Sequence, residues 1–436
     1  MTRPTQREFL KLAIPNILTN LTVPLAGLID MALLGHLEAV TPLAGVALGT
    51  LIFDYCYWSL GFLRMSTTAL TAHAYGADDL TGSAQVLARS LATALVLGGC
   101  LVLLQVPLGW GGFALMQGEA AVEAAGLSYF HARIWSAPAT LTGYVLVGWL
   151  LGRHQVGAVL LFSSVLYGAN IGLDVLFIFG LKWGAFGAGL ATMCAEYLAV
   201  AVGLLLVWRR LGDHPPFQLG WLRRLEDFRP LMALQGDIFV RSFCLISAFF
   251  LFTNLSSSFG QVLLAANTVL FRLLNTAAYF IDGLAYALES LAGKYQGAGD
   301  RPAVKRALLS ALAWNIGAIV LFIAVLLGAG DWVLAALTHH EAVIETGRRY
   351  MPYVIGMLCL SGFAYILDGF FIGLAKGRIL RNGMLISLVL GFLPFLPMIV
   401  FGRNEEALWW AMSGFMALRA LTLAWACRRW WWADEK

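Results

Sequence analysis

Apolar runs of about twenty residues or more follow one another along the whole chain, separated by short polar segments. A helix needs about 20 apolar residues to cross a bilayer, so each run is long enough to span one. Six spans are predicted near 9–35, 40–73, 84–108, 121–151, 155–180 and 184–209. Six more follow near 229–256, 262–293, 303–328, 343–374, 378–402 and 405–428. The first run carries Pro15, Pro24 and Asp30 and is too long and irregular for a cleaved leader, so it counts as a span. The longest polar stretch, about 210 to 228, holds Pro215, Pro216 and six charged residues. It divides the chain into an N-lobe at 1–210 (helices 1–6), a linker at 211–228 and a C-lobe at 229–436 (helices 7–12).

The two halves repeat. Leu43-Ala44, Gly76 and Asp79 match Leu264-Ala265, Gly297 and Asp300, and Tyr144, Gly148 and Gly152 match Tyr365, Gly369 and Gly373. Both sets share an offset of 221 residues. Any one identity is weak, but a constant offset over more than a hundred positions is hard to obtain by chance. Because each half has an even number of spans, the repeats share one orientation and are related by an axis along the membrane normal. The expected fold class is therefore all-α: twelve transmembrane helices in two pseudo-symmetric six-helix bundles with a cleft between them, an architecture of transporters.

Composition strengthens this reading. The 436 residues are 60% hydrophobic and 12% charged, with a mean hydropathy of +0.76, which points to lipid as the solvent. The net charge of +4 gives no sign of nucleic-acid binding. With both termini inside, twenty Lys and Arg fall in cytoplasmic segments and four outside (Lys182, Arg348, Arg349, Arg403), which sets the orientation. The tail from Arg428 to Trp432 is then expected to anchor at the inner interface. The six cysteines lie in or beside apolar runs without CxxC spacing and read as reduced core thiols. No Walker motif or ATPase domain is present, which excludes primary pumping by this chain.

Ionisable groups inside spans cost several kcal/mol and mark function by default. Counting about 1.5 Å per residue from the charge-assigned ends puts Asp30 (span 1) and Asp174 (span 5) in the outer half. Asn170 lies one turn below Asp174 on the same face, and Thr192 in span 6 has the same depth. Four oxygen-bearing side chains suit Na⁺, and a close carboxylate pair equally suits a trapped proton. Taken singly, Asn170 and Thr192 read more readily as structural groups; the two carboxylates do not. Pro24 frees a backbone carbonyl before Asp30 and can bend helix 1 as Asp30 is protonated. In the second half Asp237, Arg241, Asp282, Glu289 and Asp368 count to the cytoplasmic half. They read as a network that gates the cleft from inside, with a static packing network as the alternative, and Arg64 sits at similar depth. Asp54 reads as a structural hydrogen bond.

With these residues in place the chain resembles a multidrug and toxic compound extrusion (MATE) transporter of the DinF-like branch. Span 1 reads IPNILTNLTVPLAGLIDMALLGHL, span 2 ends LRMSTTALTAHAYGADD, and spans 5 to 6 read NIGLDVLFIFGLKWGAFGAGLATMCAEY. Span 8 reads AYFIDGLAYALESLAGKYQGAGD, and the likeness covers essentially the whole chain. The resemblance implies two six-helix lobes around a V-shaped central cleft in the bacterial inner membrane. It implies export of cationic or amphipathic small molecules against an inward cation flux. The family's N-lobe cation site corresponds to Asp30, Asn170, Asp174 and Thr192, and its C-lobe acid in helix 10 to Asp368. The helix 7 acid of another branch has no secure counterpart, although Asp237 and Arg241 lie nearby.

The expected activity is alternating-access antiport by a monomer embedded in lipid, with no cofactor and no enzyme chemistry. The coupling ion is expected to be H⁺, with Na⁺ at Asp30, Asn170, Asp174 and Thr192 as the alternative. Two rivals remain. A lipid-linked precursor flippase of the same superfamily would favour a cleft rich in Arg and Lys, whereas the outer half here offers carboxylates. A polytopic membrane enzyme would need His clusters or paired Asp motifs, for which only His339-His340 stands as a candidate.

Overall fold

The polar breaks in the apolar pattern become helix ends. The computed structural model describes residues 6–35, 41–116, 119–211 and 219–432, and the side chains of these except 23–35, 115, 116, 219 and 225. The long helices are α1 (Gln6–Gly35), α2 (Thr41–Gly76), α3 (Leu80–Leu103), α4 (Ala120–Gly152), α5 (Val156–Gly180) and α6 (Gly184–Leu211). They are followed by α7 (Glu226–Ser257), α8 (Gln261–Gly297), α9 (Arg301–Leu337), α10 (Glu341–Gly373), α11 (Gly377–Val400) and α12 (Glu406–Trp431). Eleven helices, α2 to α12, are long and apolar enough to cross a membrane among the described residues. The 30-residue α1 rises about 45 Å and completes the expected twelve by length. No strand occurs among the described residues. The helix α9 runs nine residues beyond the expected end at 328, because it passes Gly328-Ala329-Gly330 through a kink at Ala329 (φ −133°, ψ 15°) instead of stopping there.

The offset of 221 residues reappears as physical devices. Asp79 caps α3 by accepting from the Gly82 amide at 2.8 Å, and Asp300 caps α9 by accepting from the Ala303 amide at 2.9 Å. The turns just before these caps contain left-handed residues at matching positions, Asp78 (φ 56°) and Gly299 (φ 69°). His154 (φ 60°) and Ala375 (φ 53°) repeat this in the turns after α4 and α10, as do Lys182 (φ 59°) and Arg403 (φ 47°) in the turns after α5 and α11.

Helix packing repeats as well. A Cβ on Gly148 would lie 2.6 Å from the Arg64 carbonyl oxygen, and one on Gly369 would lie 2.7 Å from that of Ala285. Gly152 meets the Thr68 carbonyl oxygen in the same way, and Gly373 meets that of Glu289. All four pairs keep the same offset. The two glycines per half thus let α4 rest on the backbone of α2, and α10 on that of α8.

The chain packs as two compact units. One comprises Leu18–Gln235, and the other the described residues up to Ile17 together with those from Gly236 onward. Packing therefore divides the chain inside α1 and α7, whereas the sequence reading sets the lobe boundaries at 210 and 229. In the second unit the start of α1 is held to α8. Lys294 and the Tyr295 hydroxyl donate to the Glu8 carboxylate at 3.1 and 2.8 Å, and Gly283 lies against the backbone of Ile17. An aromatic core surrounds buried Trp409, whose indole donates to Asn267 at 3.2 Å and packs on Phe252, Phe271 and Tyr350.

Two smaller expectations change. Trp430 is buried, with the Arg301 guanidinium over its ring at 4.7 Å and bonded to its carbonyl. Only Trp432 of the tail tryptophans is exposed, because α12 carries the first two against neighbouring side chains. All six cysteines are free, but only Cys244 is buried and Cys100 is exposed, so the set is not one of core thiols.

Candidate functional site

In the unit Leu18–Gln235 the α-helical part of α5 ends at Asp174, and Val175–Gly180 winds as a π-helix. A π turn loosens the backbone ladder and is frequent at functional positions. Asp174 is 2% exposed and Asn170, one turn earlier, is 6% exposed, so both point into protein. Asn170 donates to the Thr192 hydroxyl on α6 at 3.4 Å, and that hydroxyl donates to the Ala188 carbonyl at 3.0 Å. Asn170 and Thr192 of the four expected coupling residues are thus brought into contact, with Asp174 one helical turn beyond Asn170 on α5. Asp30 and Pro24 lie in the helical backbone of α1, and their side chains fall outside the described residues.

The second unit sorts its charges differently from the expected network. Asp368 on α10 accepts through one oxygen from both Arg241 of α7 and Arg419 of α12. All three are buried, at 3%, 7% and 1% exposure respectively. The Arg419 guanidinium also lies over the Tyr365 ring at 4.9 Å, and Asp282 is an electrostatic neighbour of Arg241. Asp237, expected beside Arg241 from its i, i+4 spacing, instead accepts from Arg381 of α11 at 2.7 Å. Glu289 is fully buried where α8 meets Gly373. Arg419 sits at the centre of this group, and the sequence offered no partner for it, since spacing reports only neighbours on one helix.

Asp54 on α2 also differs from expectation. Among the described residues its carboxylate makes no hydrogen bond; it is exposed and lies within electrostatic reach of Arg133 on α4. Arg133 stacks over the Phe53 ring at 4.7 Å and donates to the Tyr129 hydroxyl. Glu196 on α6, which sequence reasoning passed over, joins the same neighbourhood. Counting depth on α2, α4 and α6 together would have found it.

Two repeats of six helices with carboxylates buried at membrane depth define a multi-pass membrane protein of the secondary-transporter class. Comparison with known proteins narrows the class. The family model described as MatE matches residues 15–176 and 238–396, and the chain belongs to this family, the multidrug and toxic compound extrusion transporters. It is therefore a transporter and not an enzyme. It is 37% identical over 424 residues to DNA damage-inducible protein F of Escherichia coli K12, covering 96% of this chain and 91% of that one. It is 25% identical to the probable multidrug resistance protein NorM of Rhizobium meliloti, covering 96% and 92%. Among solved structures, an outward-facing MATE-family multidrug resistance transporter superposes with a TM-score of 0.87 at 19% identity, covering 98% of this chain and 96% of that one. That likeness shows the fold.

Proposed function

We propose that the chain is a proton-coupled antiporter that exports cationic or amphipathic small molecules across a bacterial inner membrane by alternating access. The observation that carries this reading is the buried Asp174, a carboxylate inside an apolar span one helical turn from Asn170, which in turn donates to Thr192. An unneutralised carboxylate there is costly, so it favours taking up a cation from the side to which it opens. A proton arriving from outside is shared by Asp174 and Asp30 and removes one negative charge from the pair, the cationic substrate loses that counter-charge, and it departs outward. One charge moving through 100 mV releases about 2.3 kcal/mol, enough to sustain a substantial outward gradient. The distribution of Lys and Arg supports both termini being cytoplasmic, and we take the transporting unit to be a monomer in lipid.

Na⁺ is the alternative ion, because carbonyl, hydroxyl and carboxylate oxygens are hard ligands that suit it. Efflux of an organic cation from proteoliposomes, driven first by a pH gradient alone and then by a Na⁺ gradient alone, separates the two. Transport driven only by Na⁺ overturns proton coupling. Asp174→Asn and Asp30→Asn should each abolish gradient-driven accumulation, and a variant that retains it refutes the site.

A further inference from the structure

Thr192 and Glu196 are four residues apart on α6, so both lie on one face, with Glu196 about 6 Å deeper along the helix. Glu196 thereby stands directly below the Asp174–Asn170–Thr192 group, on a level of its own. Asp54 and Arg133 share that level. Asp54 is thirteen residues beyond the start of α2 at Thr41, Arg133 thirteen beyond the start of α4 at Ala120, and Glu196 twelve beyond the start of α6 at Gly184. These three helices run in the same sense, so the three groups lie about 18–20 Å from the same ends.

The charges at this level do not balance. Two carboxylates face one guanidinium, and that guanidinium is engaged by the Phe53 ring and the Tyr129 hydroxyl. A net negative charge inside a span demands a proton or a cation. Of the two acids, Asp54 is exposed, whereas Glu196 is half-buried and lies within electrostatic reach of Arg133 and Tyr144 of α4 and Tyr57 of α2. Tyr197 is its ionisable neighbour on α6 itself. The protonated form of Glu196 leaves Asp54 and Arg133 to compensate each other. The ionised form creates a vacancy for one positive charge.

We propose that Glu196 is a second proton-exchanging carboxylate of the first repeat, one helical turn deeper than the Asp174 group, and that it yields its proton when an organic cation binds. The exchange balances: Glu196–COOH becomes a carboxylate, its proton leaves to water, and the incoming monocation replaces the charge. This rests on the proton-coupled reading above and adds to it a second titrating group.

The test uses the full chain in lipid nanodiscs with ethidium as the organic monocation. Proton release on ethidium binding is measured in weakly buffered solution, and the dissociation constant is measured across pH. Each proton displaced steepens the dependence of log Kd on pH by about one unit. Glu196→Gln should lower proton release by about one per ethidium and flatten that slope correspondingly. Glu196→Asp, which keeps a carboxylate, should restore much of both. Wild-type release that is unchanged in Glu196→Gln overturns this inference alone, and leaves Glu196 as a static partner of Arg133. If wild-type protein releases no protons at all, proton coupling itself falls and this inference with it.

Discussion

Replacing Asp368 by Asn should destabilise the protein more severely than any single exposed charge change. Asp368, Arg241 and Arg419 are 3%, 7% and 1% exposed, and one carboxylate compensates two guanidiniums. The amide of Asn removes that compensation and leaves two buried cations. Breaking a buried pair by removing one partner costs about 3–5 kcal/mol, mostly because the remaining charge is stranded. Thermal denaturation in detergent, followed by loss of the monodisperse chromatographic peak, should shift down on the order of 10 °C. The triple variant Arg241→Met, Asp368→Leu, Arg419→Met removes every charge together and should recover most of the loss, since apolar replacements of buried ion clusters are often neutral or stabilising. Transport by that triple variant then separates a gate from packing. A stable but inactive triple variant makes the cluster functional, and a stable active one makes it structural. Unchanged melting in Asp368→Asn would refute the reasoning, because it would mean that water reaches the guanidiniums and the clamp is not dry.

The other expectations are simpler to check. Gly369→Val should impair folding and expression, since even a Cβ would sit 2.7 Å from the Ala285 carbonyl oxygen, whereas Gly157→Ala, with open space around it, should be neutral. Asp79→Ala and Asp300→Ala should each cost about 1 kcal/mol by loss of a helix cap, seen as similar decreases in melting temperature. Arg348→Ala should leave the melting temperature essentially unchanged despite its 2.8 Å contact with Asp331, because both side chains are more than half exposed (60% and 69%). A larger loss on melting would show that this pair is shielded from water.

What could be read from the sequence follows from which forces are local. Twelve apolar runs are legible because lipid requires a continuous apolar stretch to cover each span. The repeat is legible because a cap needs an Asp, as at Asp79 and Asp300, and a close helix crossing needs a glycine, as at Gly148 and Gly369. The Asp174–Asn170–Thr192 group is legible because depth can be counted along a helix. Partner choice is not legible in the same way. Asp237 turns from Arg241, four residues away, to Arg381, 144 residues away, and Arg419 reaches Asp368 from another helix. Those pairings are set by rotation of each helix about its axis, which long apolar runs leave undetermined.

The same contrast bears on how the two halves came to differ in role. The structural features that repeat at 221 residues are backbone devices: a cap, left-handed turn residues and glycines at a crossing. The charges within the spans do not repeat. Asp54, Arg133, Asp174 and Glu196 stand opposite Asn275, Val354, Phe395 and Ala417 at that offset, and Arg241, Asp368 and Arg419 opposite Asn20, Val147 and Leu198. The π turn is displaced too, at Val175–Gly180 in α5 but Ser387–Phe392 in α11. A bundle's shape constrains its close glycine crossings, while a buried charge is tolerated wherever its partners can be supplied. On the proposed reading, the first half exchanges a positive charge at Asp174 and Glu196. The second encloses Asp368 between two guanidiniums. If ion exchange is confined to the first half, charge-neutralising changes at Asp174 and Glu196 should alter proton release, while the triple replacement at Arg241, Asp368 and Arg419 should leave it intact.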